Sequence, residues 1–81
     1  FNPSTVISWQ LAVSSFVNLK IYDMLGREVA ALVNKEKIPG DYEVKFNGSN
    51  LTSGVYFYRL QVYAPGRAGS FSNTKKFILM K

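Results

Sequence analysis

The chain has 81 residues, 47% hydrophobic and 15% aromatic, with a formal net charge of +5 and neither Cys nor His. That length holds one domain with a small core. The missing Cys removes disulfides and thiolate chemistry, and the missing His removes the usual general base near neutral pH and the commonest metal ligand.

Period-two alternation dominates the chain. Thr5, Ile7, Trp9 and Leu11 share one face of the first segment; Ser4, Val6, Ser8 and Gln10 share the other. Val17, Leu19 and Ile21 then alternate with Asn18, Lys20 and Tyr22. Asp23-Met24-Leu25-Gly26-Arg27 predicts a tight reversal, in which Gly26 supplies a positive φ and Asp23 bonds the backbone two residues on. From Arg27 to Lys35, Ala30, Ala31 and Leu32 would tolerate a helix. The segment is short, however, Val29 and Val33 favour a strand, and turns flank it, so a strand is expected. Ile38-Pro39-Gly40-Asp41 predicts a type II turn.

The next strand carries Tyr42, Val44 and Phe46 on one face and Asp41, Glu43, Lys45 and Asn47 on the other. Asn47-Gly48-Ser49-Asn50 is turn chemistry, and Leu51 is expected to plug the core. Gly54 opens what reads as the longest strand, apolar on both faces and therefore central. Ala64 to Gly69 predicts a hairpin loop. A last strand runs from about Phe71 to Met80, its Phe77-Ile78-Leu79-Met80 run expected to be buried on both sides. Six to seven short strands with a turn every eight to twelve residues predict an all-β fold, an antiparallel immunoglobulin-like β-sandwich.

Catalysis fails on inventory. No His can activate the many Ser and Thr, and the acids are only Asp23, Glu28, Glu36, Asp41 and Glu43. No enzyme activity and no cofactor or metal is expected. Asp41 and Glu43 read as the wet face of an amphipathic strand rather than a catalytic pair, and Asp23 as a turn residue rather than a calcium ligand. The basic balance and the aromatics suggest single-stranded nucleic acid, with Lys20, Lys45 and Arg59 as a potential stripe. The aromatics fall on the apolar phase of their strands, so core packing is the better reading and no nucleic-acid partner is expected. Asn47-Gly48-Ser49 and Asn50-Leu51-Thr52 match the short glycosylation pattern, which acts only in a eukaryotic secretory setting. Trp9 is the obvious residue for a sugar-binding accessory domain, yet it lies in phase with Ile7 and Leu11, as a core Trp would. No apolar run reaches the roughly 20 residues of a membrane-spanning helix.

Five segments together are more specific. They are Phe1-Asn2-Pro3-Ser4-Thr5-Val6-Ile7, Leu19 through Val29 with Tyr22-Asp23-Met24-Leu25-Gly26-Arg27, Gly40-Asp41-Tyr42-Glu43-Val44, Leu51-Thr52-Ser53-Gly54-Val55-Tyr56-Phe57-Tyr58-Arg59-Leu60, and Thr74-Lys75-Lys76-Phe77-Ile78-Leu79-Met80-Lys81. In this order and spacing the chain resembles the C-terminal sorting domain (type A) of cargo proteins of the type IX secretion system. The resemblance spans nearly the whole chain.

It implies a single sorting domain over residues 1–81, at the end of a larger secreted passenger from a Gram-negative bacterium. The chain begins at Phe1 rather than Met, which fits a piece of a longer protein. By the same resemblance the passenger crosses the periplasm. The outer-membrane translocation machinery then reads the domain, and a surface sortase removes it. The paired lysines and terminal Lys of the family carry onto Lys75, Lys76 and Lys81 as recognition residues. The Gly-Arg turn carries onto Gly26 and Arg27, and the Gly-Val-Tyr segment onto Gly54 and Tyr56, as structural positions. Two other functions stay open: a structural subunit of an extracellular fibre or surface layer, self-associating through strand edges, and a carbohydrate-binding accessory domain.

Overall fold

The computed structural model describes residues 4–66 and 70–80. Each alternating segment becomes a strand: β1 (Ser4–Leu11), β2 (Ser15–Tyr22), β3 (Glu28–Lys37), β4 (Gly40–Asn47), β5 (Gly54–Tyr63) and β6 (Phe71–Leu79). All pairings are antiparallel. β1 pairs with β4, from Ser4 opposite Asn47 to Leu11 opposite Gly40. The other four form a sheet in the order β3-β2-β5-β6. The expected all-β sandwich is therefore present, a two-stranded sheet over a four-stranded one.

The alternation explains the packing. Ile7, Trp9, Leu11 and Phe46 from the small sheet meet Val17, Leu19, Ile21, Tyr56, Leu60, Val62 and Leu79 from the large one in a single core cluster. Leu51 packs against it from the β4–β5 connection, as the sequence suggests. Burial of one such aliphatic or aromatic side chain contributes about 1.5–3 kcal/mol. With no disulfide to assist, this cluster holds the sandwich. Ser15, the one buried polar residue among those described, sits where the chain passes from β1 to β2. Its hydroxyl donates to the Val13 carbonyl at 2.8 Å, so the corner leaves that group satisfied.

The ambiguous segment is a strand, β3, and an irregular one. Its register against β2 shifts between Leu19 and Lys20 and again between Ile21 and Tyr22, so Leu32 and Val29 have no direct partner. Such bulges bend and twist an edge strand, which discourages pairing with other chains. They also bring both Leu32 and Val33 against the core.

Three expectations need correction. Gly40 does not take the left-handed position of a type II turn: its φ is 149°, and it already belongs to β4. The chain at Ile38-Pro39 is changing sheets rather than reversing within one, so it stays open. β5 is not longer than every other strand, since β3 also has ten residues. The run at the end of β6 is buried on one side only. Leu79 is 1% exposed, but Ile78 is 59% and Met80 64% exposed. β6 is the outermost strand of its sheet, and among the described residues nothing covers its outer face. β5 and β6 are antiparallel partners; of the hairpin loop expected over Ala64 to Gly69, residues 67–69 lie outside the described residues.

Candidate recognition surface

Three of the five segments that carry the family resemblance, those around the 23–27 turn, the start of β5 and the end of β6, meet at one end of the four-stranded sheet; the other two lie in the β1-β4 sheet. β2 ends at Tyr22, paired with Phe57 of β5, and the 23–27 turn follows. Gly54 opens β5 opposite Leu79 of β6, and Val55 stands opposite Ile78. A shallow cleft between the turn and the start of β5 is lined by Met24, Leu25, Arg27, Gly54, Val55 and Tyr56, among others.

The turn is fixed by its own residues. The Leu25 and Arg27 backbone N–H groups both donate to Asp23 Oδ1 at 2.9 Å, and Arg27 Nε donates to Asp23 Oδ2 at 2.9 Å. These donors favour the carboxylate. The Arg27 backbone N–H is the strongest influence; desolvation opposes it, but the Arg27 guanidinium and the Leu25 N–H add to it, and the Asp23 pKa is held below its ordinary 3.8. Gly26 has φ 83°, and a Cβ placed there would meet nothing within 4 Å. Glycine is required here for backbone conformation and not for space.

At the start of β5, Tyr56 is 6% exposed and its hydroxyl donates to the Thr52 carbonyl four residues upstream at 2.8 Å. This is the tyrosine-corner arrangement of β-sandwiches, which ties a sheet-crossing loop to the strand it enters. The sequence carries a signal for it, a Tyr soon after a loop that joins two strands, but the bond itself depends on where the loop folds.

The two lysines of β6 point to opposite sides. Lys75 stands opposite Tyr58 and Lys76 opposite Phe57. Lys76 thus shares the outer face with Phe57 and Arg59, while Lys75 is on the inner phase yet still exposed. The small sheet does not reach that far: from Phe71 to Lys76 every residue of β6 is exposed. Phe46 covers Phe77, with ring centroids 6.3 Å apart. Lys81 lies outside the described residues.

The proposed basic stripe forms only incompletely. Lys20 and Arg59 are cross-strand partners on the outer face. Arg59 sits over the Tyr22 ring at 4.9 Å, and Lys20 is bridged to Glu28 at 3.1 Å. Lys45 is on the other sheet, opposite Val6, and does not join them. Asp41 and Glu43 also face outward there, on the polar phase of β4.

Trp9 is in the core, 7% exposed, with its ring stacked on Tyr42 at 5.6 Å. Among the described residues its Nε1 is the buried side-chain polar atom with no hydrogen-bond partner. It borders an open groove toward Leu60, Phe71 and Asn73, on the uncovered side of β6. A ring so enclosed offers no face for a sugar to stack on. No cluster of three or more carboxylates suited to a metal occurs among the described residues, and no helix long and apolar enough to cross a membrane is present there.

No curated protein and no solved structure matches the chain. A family model does, that of the secretion system C-terminal sorting domain, over residues 2–80. With nearly its whole length matched, the chain belongs to the family of C-terminal sorting domains of type IX secretion cargo, found on secreted or cell-surface proteins.

Proposed function

We propose that this domain is the export address of a larger passenger, read by the outer-membrane translocation machinery after the passenger has crossed the periplasm of a Gram-negative cell. A surface sortase then removes it. The observation that carries the reading is the family match across nearly the full chain. The domain does no chemistry of its own. It acts by being bound.

The reading end is β6 with its lysines. Among the described residues β6 pairs only with β5, so one side of its backbone is open to a further strand. Strand addition to such an edge supplies main-chain hydrogen bonds. Lys75 and Lys76, one on each face, supply charge that orients the encounter and blocks pairing with neutral strands. Lys81, just beyond, extends the basic stretch.

The test is an export assay in a host with a type IX system. Residues 1–81 fused to a periplasmic reporter should reach the cell surface. Lys75→Ala with Lys76→Ala should reduce surface display several-fold while leaving the thermal unfolding of the purified domain unchanged. Undiminished display in the double variant would remove the lysines from the reading, and no display from the parent fusion would remove the reading itself. The fibre alternative rests on the same open edges, and electron microscopy of the purified chain separates the two: filaments favour it, monodisperse particles count against it.

A further inference from the structure

The β2–β3 turn presents side chains that turn chemistry does not call for. A reversal built on Asp and Gly ordinarily shows small polar groups to water. Here Met24 and Leu25 occupy the apex, 72% and 77% exposed. The backbone beneath them is closely hydrogen-bonded. Asp23 N donates to Arg27 O at 2.9 Å and Gly26 N to Asp23 O at 3.0 Å, beside the three bonds made by the Asp23 carboxylate. Two apolar side chains are thus held out on this support. They continue onto the sheet. Val55 lies beside the turn and Ile78 opposite Val55, and Ile78 and Met80 add exposed apolar surface at 59% and 64%.

The charges around this corner are one-sided. Its two acids are already engaged, Asp23 with Arg27 at 2.9 Å and Glu28 with Lys20 at 3.1 Å. Glu36 is at the far end of β3, and Asp41 and Glu43 are on the outer face of the other sheet. Lys76 flanks Ile78 on the same face of β6, and Arg59 stands one step further in, opposite Thr74. An exposed apolar apex with cations set behind it, and no free carboxylate nearby among the described residues, has the polarity and charge of an element that enters an anionic lipid interface. The apolar tips pass below the headgroups and the cations stay among the phosphates. A protein partner would need acidic groups placed to match these cations around an apolar contact; a fluid anionic interface adapts to them.

We propose that this end of the domain, led by Met24 and Leu25, docks on anionic membrane surfaces. The proposal is independent of the export reading, since its readout is lipid binding by the isolated chain.

Flotation of the 81-residue chain with vesicles tests it. Vesicles of equal parts phosphatidylglycerol and phosphatidylcholine should retain the chain, and pure phosphatidylcholine should retain at least about tenfold less. Met24→Ser with Leu25→Ser should lower retention on the anionic vesicles by about tenfold or more. Val6→Ser, at a residue 54% exposed on the opposite sheet, should not change it. Circular dichroism checks that each variant is folded. As a second measurement, a Trp at the apex (Leu25→Trp) should be quenched by brominated acyl chains in the anionic vesicles, while the core Trp9 is not. Retention equal in the double variant and the parent, equal on both lipids, or absent from anionic vesicles would overturn the proposal, as would an unquenched apex Trp. A surface that seats a protein instead gives that absence.

Discussion

Asp23 spends both carboxylate oxygens on the turn that follows it, and that ties the turn to pH. Its folded pKa lies below the ordinary 3.8, chiefly because the Arg27 backbone N–H donates to it. A group depressed on folding stabilises the fold fully above its unfolded pKa, and that contribution is lost as pH falls through the folded value. Thermal unfolding measured down a pH series should therefore show an acid-side loss, beginning near 3.8 and growing below it. The loss should be smaller in Asp23→Asn, where that carboxylate no longer titrates. At the other tied position, Tyr56→Phe keeps the ring in the core and deletes the hydroxyl that bonds the Thr52 carbonyl at 2.8 Å and lies 3.4 Å from Thr52 Oγ1. The expected cost is about 0.5–1.5 kcal/mol, read as a lower urea midpoint with an unchanged slope.

Among the elements, β6 is where sequence and structure diverge. Four consecutive apolar residues suggest burial on both faces, yet two of them look outward. Leu79→Ala should cost about 2–5 kcal/mol, whereas Ile78→Ser, one residue earlier, should stay within roughly 0.5 kcal/mol. Urea titrations of the two variants check the contrast; equal destabilisation would place Ile78 in the core after all. Composition could not give this result, because being outermost is set by the order β3-β2-β5-β6, and strand order depends on contacts far apart in the chain. What depends on neighbours was legible: the alternation of β1, β2, β4 and β5, the Asp23–Gly26 turn, and the strand character of β3. The bulges of β3 were not, since a slipped register is a property of the pair and not of either strand. The turn expected at Gly40 failed for a related reason. Pro-Gly marks a break in direction, but whether the chain folds back or changes sheet is decided by where β1 waits to pair with β4.

For the whole molecule, the opposite placement of Lys75 and Lys76 follows from strand alternation alone and could be read in advance. The gathering of Gly26, Gly54 and Tyr56 at one end could not, because it needs the registers of β2 on β5 and β5 on β6. The pairings also distribute the charge: Lys20, Arg59 and Lys76 with Glu28 on the outer face of the large sheet, Asp41 and Glu43 with Lys45 on that of the small one. Seen as a mechanical object, the last strand is a zipper with its clasp at the tail. Only Leu79 is buried in it and only Phe77 is half-buried, while the six residues from Phe71 to Lys76 are exposed. A pull on the chain beyond Leu79 loads that clasp first. Once Leu79 and Phe77 are drawn out, the remaining backbone bonds to β5 open in succession, with no buried side chain to resist.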